Sequence, residues 1–216
     1  MDDELASAQA VIRERVRTWF TELRDAHPNQ HFYAFAFGFH DDFVGPSLWA
    51  NSLEFLSSKC ETDDDEEFFS NEEFSWNPGQ WEYSEPLDNA WQALTKYPGN
   101  ERNEVDDEVL HYRARCLEAT MAGLRDLTDE GLWTRDPIPV LAFVSLWDSP
   151  EDRWVRWESI RRLNSPDILD RHPLPLRNWL GDTVFSTEPE RTTRRRRQQL
   201  SQLALKFYEM FGEYSP

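Results

Sequence analysis

Along residues 3–26 apolar side chains fall at Leu5, Ile12, Val16, Trp19, Phe20 and Leu23, three or four positions apart over most of the run, which draws one stripe down a helix. Arg13, Glu14, Arg15 and Arg17 take the other face, and Pro28 ends the helix because proline disfavours helical backbone in the residue before it. The period then changes. Residues 31–39 read HFYAFAFGF, a strand-length run that sets small residues at Ala34, Ala36 and Gly38 on one face and large aromatics on the other. A turn at His40-Asp41-Asp42 leads into a second extended segment over residues 47–55, and the pair predicts a hairpin or meander.

Further on, Pro78-Gly79 marks a turn between the aromatic flanks Trp76 and Trp81-Glu82-Tyr83. Residues 84–97 predict a short helix, with Glu85 and Pro86 in its first turn and Leu87, Ala90, Trp91 and Leu94 as its stripe. Val105, Val109, Tyr112, Cys116, Ala119, Leu124 and Leu127 mark a longer helix over residues 104–127, with Gly131 just beyond its end. Residues 138–147, IPVLAFVSLW, are apolar almost throughout, as in a strand buried on both faces and placed near the first. Ser149 and Pro150 open a helix to residue 163 that carries Trp154, Trp157, Ile160 and Leu163. After a Pro-punctuated stretch, residues 188–214 form a closing helix with Thr187 as its cap. The pattern predicts an α+β fold: a central, mostly antiparallel sheet with helices packed on it, plus a C-terminal helix. Residues 1–163 form the core domain, and residues 164–216 supply a Pro-containing segment and a helix packed on that core.

Charge changes this picture in one region. Residues 1–108 hold 7 Lys and Arg against 25 Asp and Glu, whereas residues 109–216 hold 16 of each, so the whole net charge of −18 lies N-terminal. Such a field repels nucleic acid, whose binding depends on neutralising phosphate, and attracts basic surfaces at rates that salt suppresses. Solubility is the plain alternative account of the same acidity. Residues 61–73 concentrate eight acids in thirteen positions, a crowding of like charge that predicts an exposed loop. Phe68, Phe69 and Phe74 within and beside it either pack back on the core or await a partner.

Little else in the chain assembles into chemistry. The arginines Arg194 to Arg197 point successively around a helix, which suits ion pairs or a solvated face better than a nucleic-acid patch. His27 and His31 have a metal-ligand interval, but Pro28 breaks the helix that the interval needs, so no metal is expected. Cys60 and Cys116 make neither a disulfide framework nor a paired zinc motif, which fits a reducing compartment. No apolar run reaches the roughly 18 residues of a membrane span, and the acidic start lacks the basic flank of an export signal, so cytoplasm is the expectation. With neither a Gly-rich phosphate loop nor a nucleophile elbow, no cofactor is expected and a binding role is favoured over catalysis.

The order of elements, with Asn51, then Trp76-x-Pro78-x-x-Trp81-Glu82-Tyr83, then Gly131 and Val140-x-x-Phe143-Val144-Ser145-x-x-Asp148, resembles a bacterial domain-of-unknown-function family, number 4303, over roughly residues 5–165. The resemblance implies a small cytosolic protein of the kind associated with toxin-immunity loci, and it supplies no catalytic residues to carry over. The acidic run and the segment after Asn164 depart from the family pattern. The resulting expectation is an immunity-type inhibitor of a basic, nuclease-like toxin. Its contact would comprise Asp63, Asp64, Asp65, Glu66, Glu67, Phe68, Phe69, Glu72, Glu73, Trp76 and Trp81. The alternatives are a hydrolase using His40 with Asp41 or Asp42, and an adaptor subunit of a larger assembly.

Overall fold

The small and large residues that alternate after His31 face opposite sides of a four-stranded sheet in the computed structural model. The structure describes residues 3–40, 43, 46–62, 76–87, 107–135, 138–147, 149, 151–165, 168, 171 and 202–212. In chain order the elements are α1 (Asp3–Ala26), β1 (Phe32–Phe39), β2 (Ser47–Ser52), α2 (Leu53–Thr62), a 3-10 turn (Pro78–Gln80), β3 (Tyr83–Pro86), α3 (Asp107–Asp129), a second 3-10 turn (Leu132–Thr134), β4 (Leu141–Leu146), α4 (Asp152–Leu163) and α5 (Gln202–Phe211). The fold is α+β, and the strand order is β3-β2-β1-β4.

The sheet is mixed. β2 pairs antiparallel with both β1 and β3, while β4 runs parallel to β1. A short turn joins β1 to β2 and forces reversal, whereas β4 is reached only after α3, a connection long enough to cross over. On one face Phe35, Phe37, Phe39, Leu48, Ala50, Ala142, Val144 and Leu146 enter the main core with Ile12, Val16 and Phe20 of α1 and Leu117, Met121 and Leu124 of α3. Gly123 lets those helices meet closely, because a Cβ there would lie 2.9 Å from the backbone oxygen of Gln9. The C-terminal helix α5 joins the same core through Leu203 and Phe207, as the sequence pattern predicts.

The opposite face is built from small residues of β1 flanked by large neighbours. Ala36 pairs with Trp49 on β2 and Phe143 on β4, so a small central side chain leaves room for two rings. Strict alternation would place Tyr33 with the large phenylalanines. Instead the register shifts between Phe32 and Ala34, and this β-bulge puts Tyr33 beside Ala34 and Ala36 in the second core cluster.

Two elements differ from the sequence expectation. The second extended segment ends at Ser52 rather than Phe55, because the Ser52 hydroxyl accepts the Phe55 N–H at 3.1 Å and caps α2. The predicted helix start at Ser84 is instead β3, whose Ser84 pairs with Trp49 and whose Pro86, lacking an N–H, lies at the strand end where no ladder donor is needed. Residues 88–97 of that helix lie outside the described residues, as do residues 188–201 of the closing one.

β4 is an edge strand, yet its outer N–H groups are not bare. Asp152 Oδ1 accepts from Leu146 N at 2.6 Å, Ser159 Oγ from Val144 N at 2.9 Å, and Asn164 Oδ1 from Ala142 N at 3.0 Å. Alternate strand N–H groups point to one side, so residues 142, 144 and 146 take a ladder of side chains from α4 and its C-terminal cap where a fifth strand would sit. α4 thus buries a polar face, a feature that apolar periodicity alone does not reveal.

Candidate functional site

The second face of the sheet gathers Tyr33, Leu56 of α2, Trp76, Trp81, Phe143 and Ile160 of α4 into one buried layer. Asn51 Nδ2 donates to the Tyr33 hydroxyl at 2.9 Å, and the Ser52 N–H donates to Asn51 Oδ1 at 3.0 Å. Burial pushes the Tyr33 phenol far above its ordinary value, opposed only in part by the Asn51 bond. Trp76 meets Tyr33 edge-on at 5.7 Å, and Trp81 meets Phe143 edge-on at 5.8 Å, geometries that aromatic quadrupoles favour. Asn77 holds the short turn between the two tryptophans, its Oδ1 accepting from Gly79 N at 3.2 Å.

Arg156 of α4 fastens this segment from outside. Its Nη1 donates to the Trp76 carbonyl at 2.7 Å, its Nε lies 2.7 Å from Asp152 Oδ2, and its guanidinium sits 5.8 Å from the Phe143 ring centroid. The acidic run is therefore flanked by α2 on one side and Trp76 on the other, and Leu56 of α2 and Trp76 belong to the same layer. At the other end of α2's first turn, His31 donates its backbone N–H to Glu54 Oε2 at 2.7 Å and sets its ring Nδ1 against Oε1. Partial burial raises the Glu54 carboxyl, but the His31 ring and backbone bonds outweigh it and hold the group below its usual range.

A family model described as "Domain of unknown function (DUF4303)" matches residues 12–165. The chain belongs to the DUF4303 family. Nothing among the curated proteins and nothing among the solved structures matches it. The DUF4303 segment contains every element that builds the second layer: β1, β2, α2, the Trp76–Trp81 stretch, β4 and α4. It ends two residues after α4, and α5 lies beyond it.

Within the DUF4303 segment the residues expected from sequence fall into two sets. Trp76 and Trp81 are 1% and 5% exposed, so their rings belong to the interior beside the start and end of the Pro78–Gln80 turn. Asp63, Asp64, Asp65, Glu66, Glu67, Phe68, Phe69, Glu72 and Glu73 lie outside the described residues. Sequence reasoning missed Arg156, because a lone arginine on an amphipathic helix carries no signal of its partner. It also missed the Tyr33–Asn51 bond, which only the bulge makes geometrically available.

Among the described residues the groups weighed for chemistry do not converge. His40 is exposed and lies edge-on to Trp147 at 5.4 Å, while Asp41 and Asp42 lie outside the described residues. His27 faces Tyr83 at 4.9 Å while His31 turns to Glu54, so the two histidines do not converge. Ser145 is buried with its hydroxyl donated to Asp152 at 2.9 Å. Burial pushes the Cys116 thiol up to about 12, which keeps it a protonated, unreactive core group. Among the described residues no set of three His, Cys, Asp or Glu is placed to hold a metal ion, and no helix is long and apolar enough to cross a membrane.

Proposed function

We propose that this DUF4303 protein is an acidic protein-binding module of the immunity type, which acts in the cytoplasm by covering the cationic site of a basic, nuclease-like toxin. One observation supports the reading above others: the stretch with eight acids in thirteen residues is rooted at both ends in one buried layer, at Leu56 of α2 and at Trp76. A nuclease must offer positive potential to hold phosphate, and a rooted series of carboxylates can occupy that site in phosphate's place. Long-range attraction raises the encounter rate, and Phe68 and Phe69 within the run supply apolar anchoring. Fixing the two ends lowers the ordering entropy that binding must overcome. Neither nucleic acid, membrane nor cofactor enters this scheme.

The test replaces Asp63, Asp64, Asp65, Glu66 and Glu67 by Asn or Gln and follows association with a panel of cationic nuclease domains across ionic strength, with inhibition of cleavage as the second readout. The expected result is slower association, a flatter salt dependence and lost inhibition. Association that is indifferent to both the substitutions and salt would remove the proposal.

A second reading, hydrolysis centred on His40, draws on a single feature. His40 follows β1 where β1 and β4 run parallel, and open sheets commonly bind ligands beyond the carboxyl ends of parallel strands. His40→Ala would then abolish turnover in a panel of ester and phosphoester substrates, and absence of any turnover by the unaltered chain would dismiss it.

A further inference from the structure

A charged residue interrupts the buried stripe of α3. Val109 and Leu117 are 2% and 0% exposed, and Arg113 stands four residues from each, on the face of the helix that buries them. Arg113 is itself partly buried. Its guanidinium lies 5.6 Å from the centroid of the Phe43 ring, and its Nε has neither solvent nor a hydrogen-bond acceptor. Among the described residues it meets no carboxylate. Arg162 is treated differently, for its side chain is 6% exposed and has Glu158 at 2.7 Å and Glu118 at 2.9 Å. In a chain of 41 Asp and Glu against 23 Lys and Arg, a guanidinium on a core stripe does not go without a carboxylate for want of acids. A charge so placed costs free energy unless something pairs with it.

The residues around Arg113 are arranged as at a ligand site. Phe43 follows β1 just beyond the end at which β1 and β4 run side by side in parallel, and open sheets commonly bind ligands beyond the carboxyl ends of parallel strands. The Phe43 N–H donates to His40 O at 2.9 Å, which closes the turn, and its φ of 62° is a left-handed conformation that a bulky side chain adopts only under constraint. That conformation keeps the buried ring stacked on Phe39 at 5.0 Å and under the Arg113 guanidinium. Residues held in such backbone gather at ligand clamps.

We propose that Arg113 is the recognition residue of an oxyanion site at the carboxyl end of β1, which takes a small molecule bearing a carboxylate or phosphate group. Nε and one Nη form a planar two-donor edge that matches two oxygens of either group, and an anion seated there supplies the acceptor that Nε lacks. Phe43 packs against the same guanidinium and helps to hold its plane. The net charge of −18 repels anions at long range, so the site favours groups that make both hydrogen bonds over simple halides. The acidic run takes no part, and the site is independent of the protein-binding reading above.

The experiment titrates the full chain with acetate and with inorganic phosphate at an ionic strength held constant by chloride, following the Arg113 Nε–H resonance by NMR and the melting temperature. The expected result is a saturable shift of that resonance and a melting temperature that rises with anion concentration. Arg113→Met should melt at or above the unaltered protein without anion, because an apolar group replaces a charge that has no partner, and it should lose the anion-dependent rise. Arg113→Lys keeps the charge without the fork and should bind several-fold more weakly. Absence of a saturable shift with either anion overturns the proposal, a readout that needs no variant. So does an anion-dependent rise that Arg113→Met retains, which would put the binding elsewhere. An Arg113→Met protein that melts well below the unaltered one without anion assigns the guanidinium to packing and also overturns it. A resonance that moves with protein concentration instead of with anion gives the site to a second copy, and the small-molecule site then fails.

Discussion

Replacing Asn164 with alanine removes three hydrogen bonds from one buried side chain. Its Oδ1 accepts the Ala142 N–H at 3.0 Å, and its Nδ2 donates to Ala142 O at 2.8 Å and to Ile160 O at 2.9 Å. Ile160 O keeps the backbone N–H of Asn164 at 3.1 Å, so only the two polar groups of Ala142 are orphaned. Each buried polar group left unmade costs about 1–3 kcal/mol, which places the substitution at about 3 kcal/mol after partial hydration. Urea unfolding followed by tryptophan fluorescence measures it, and with a slope of about 2 kcal/mol per molar the midpoint should fall by about 1.5 M at unchanged slope. Asn164→Asp sharpens the test. It keeps an acceptor for Ala142 N but sets a carboxylate against two carbonyl oxygens, so at neutral pH it should destabilise more than alanine does. Burial raises the folded-state pKa of the introduced carboxyl above its unfolded value. Its stability is therefore present below the ordinary Asp range near about 3.9 and lost as pH rises through the folded value. A change under about 0.5 kcal/mol for alanine would mean that water serves the β4 edge as well as α4 does, and the side-chain ladder would not be what holds that edge.

Trp76→Ala should lower stability by about 3–5 kcal/mol in thermal or urea unfolding, as expected for a ring 1% exposed, whereas an unchanged melt would mean that the ring serves only a partner. Gly38→Ala places a Cβ 2.9 Å from Trp147 Cζ2 and must push that ring off β1, which should cost about 1–3 kcal/mol and alter tryptophan fluorescence. Glu54→Gln removes a carboxylate whose pKa is lowered in the fold, so its contribution is present above the unfolded Glu value and lost as pH falls through the folded one. Because both partners are at least a third exposed, the effect at neutral pH is less than about 1 kcal/mol, and variant and parent should converge in acid.

Where one physical signal dominated, the sequence was a sufficient guide. α1 and α3 carry apolar stripes at helical spacing, and Gly131 adopts φ 74° just past α3, the left-handed backbone that the helix end needs. β4 is buried along its whole length, which is why it reads as an unbroken apolar run. Where two signals competed, the weaker was overlooked. Ser52 ends a strand and caps a helix in one residue, and the aromatic Phe55 three positions on has strand propensity that masks the cap. Glu85 and Pro86 suit a first helical turn, but pairing with β2 decides the conformation of that stretch, a long-range term that no local pattern contains. In α4 and its C-terminal cap the residues that matter most, Asp152, Ser159 and Asn164, are polar, so a search for apolar periodicity passes over the contacts that close the sheet. Trp76 and Trp81 show the same limit from the other side, since aromatic density marks a core and a contact surface alike.

The charge asymmetry acquires a structural consequence from the way α1 meets α3. Arg13 lies 3.8 Å from Asp126 Oδ2 and 3.9 Å from Glu130 Oε1, and Arg17 also reaches Glu130. These are two of only seven Lys and Arg in residues 1–108, and Asp126 and Glu130 belong to the balanced half, while Arg17 also pairs with Glu14 in its own half at 2.6 Å. Lys206 crosses in the other direction to Asp107 at 2.8 Å. Exposed pairs of this kind add little stability, but drawing Arg13 toward α3, and sharing Arg17 between Glu14 and Glu130, leaves the acids of the N-terminal half with less cationic charge of their own. On the proposed reading, a field of that origin would act on how fast a cationic partner arrives, whereas the Tyr33–Trp76–Phe143 layer acts on whether the chain is folded. The two are separable by substitution. Neutralising residues 63–67 should change arrival and leave unfolding untouched, and Trp76→Ala should do the reverse, so a variant set in which both quantities move together would mean that the acidic run is part of the core.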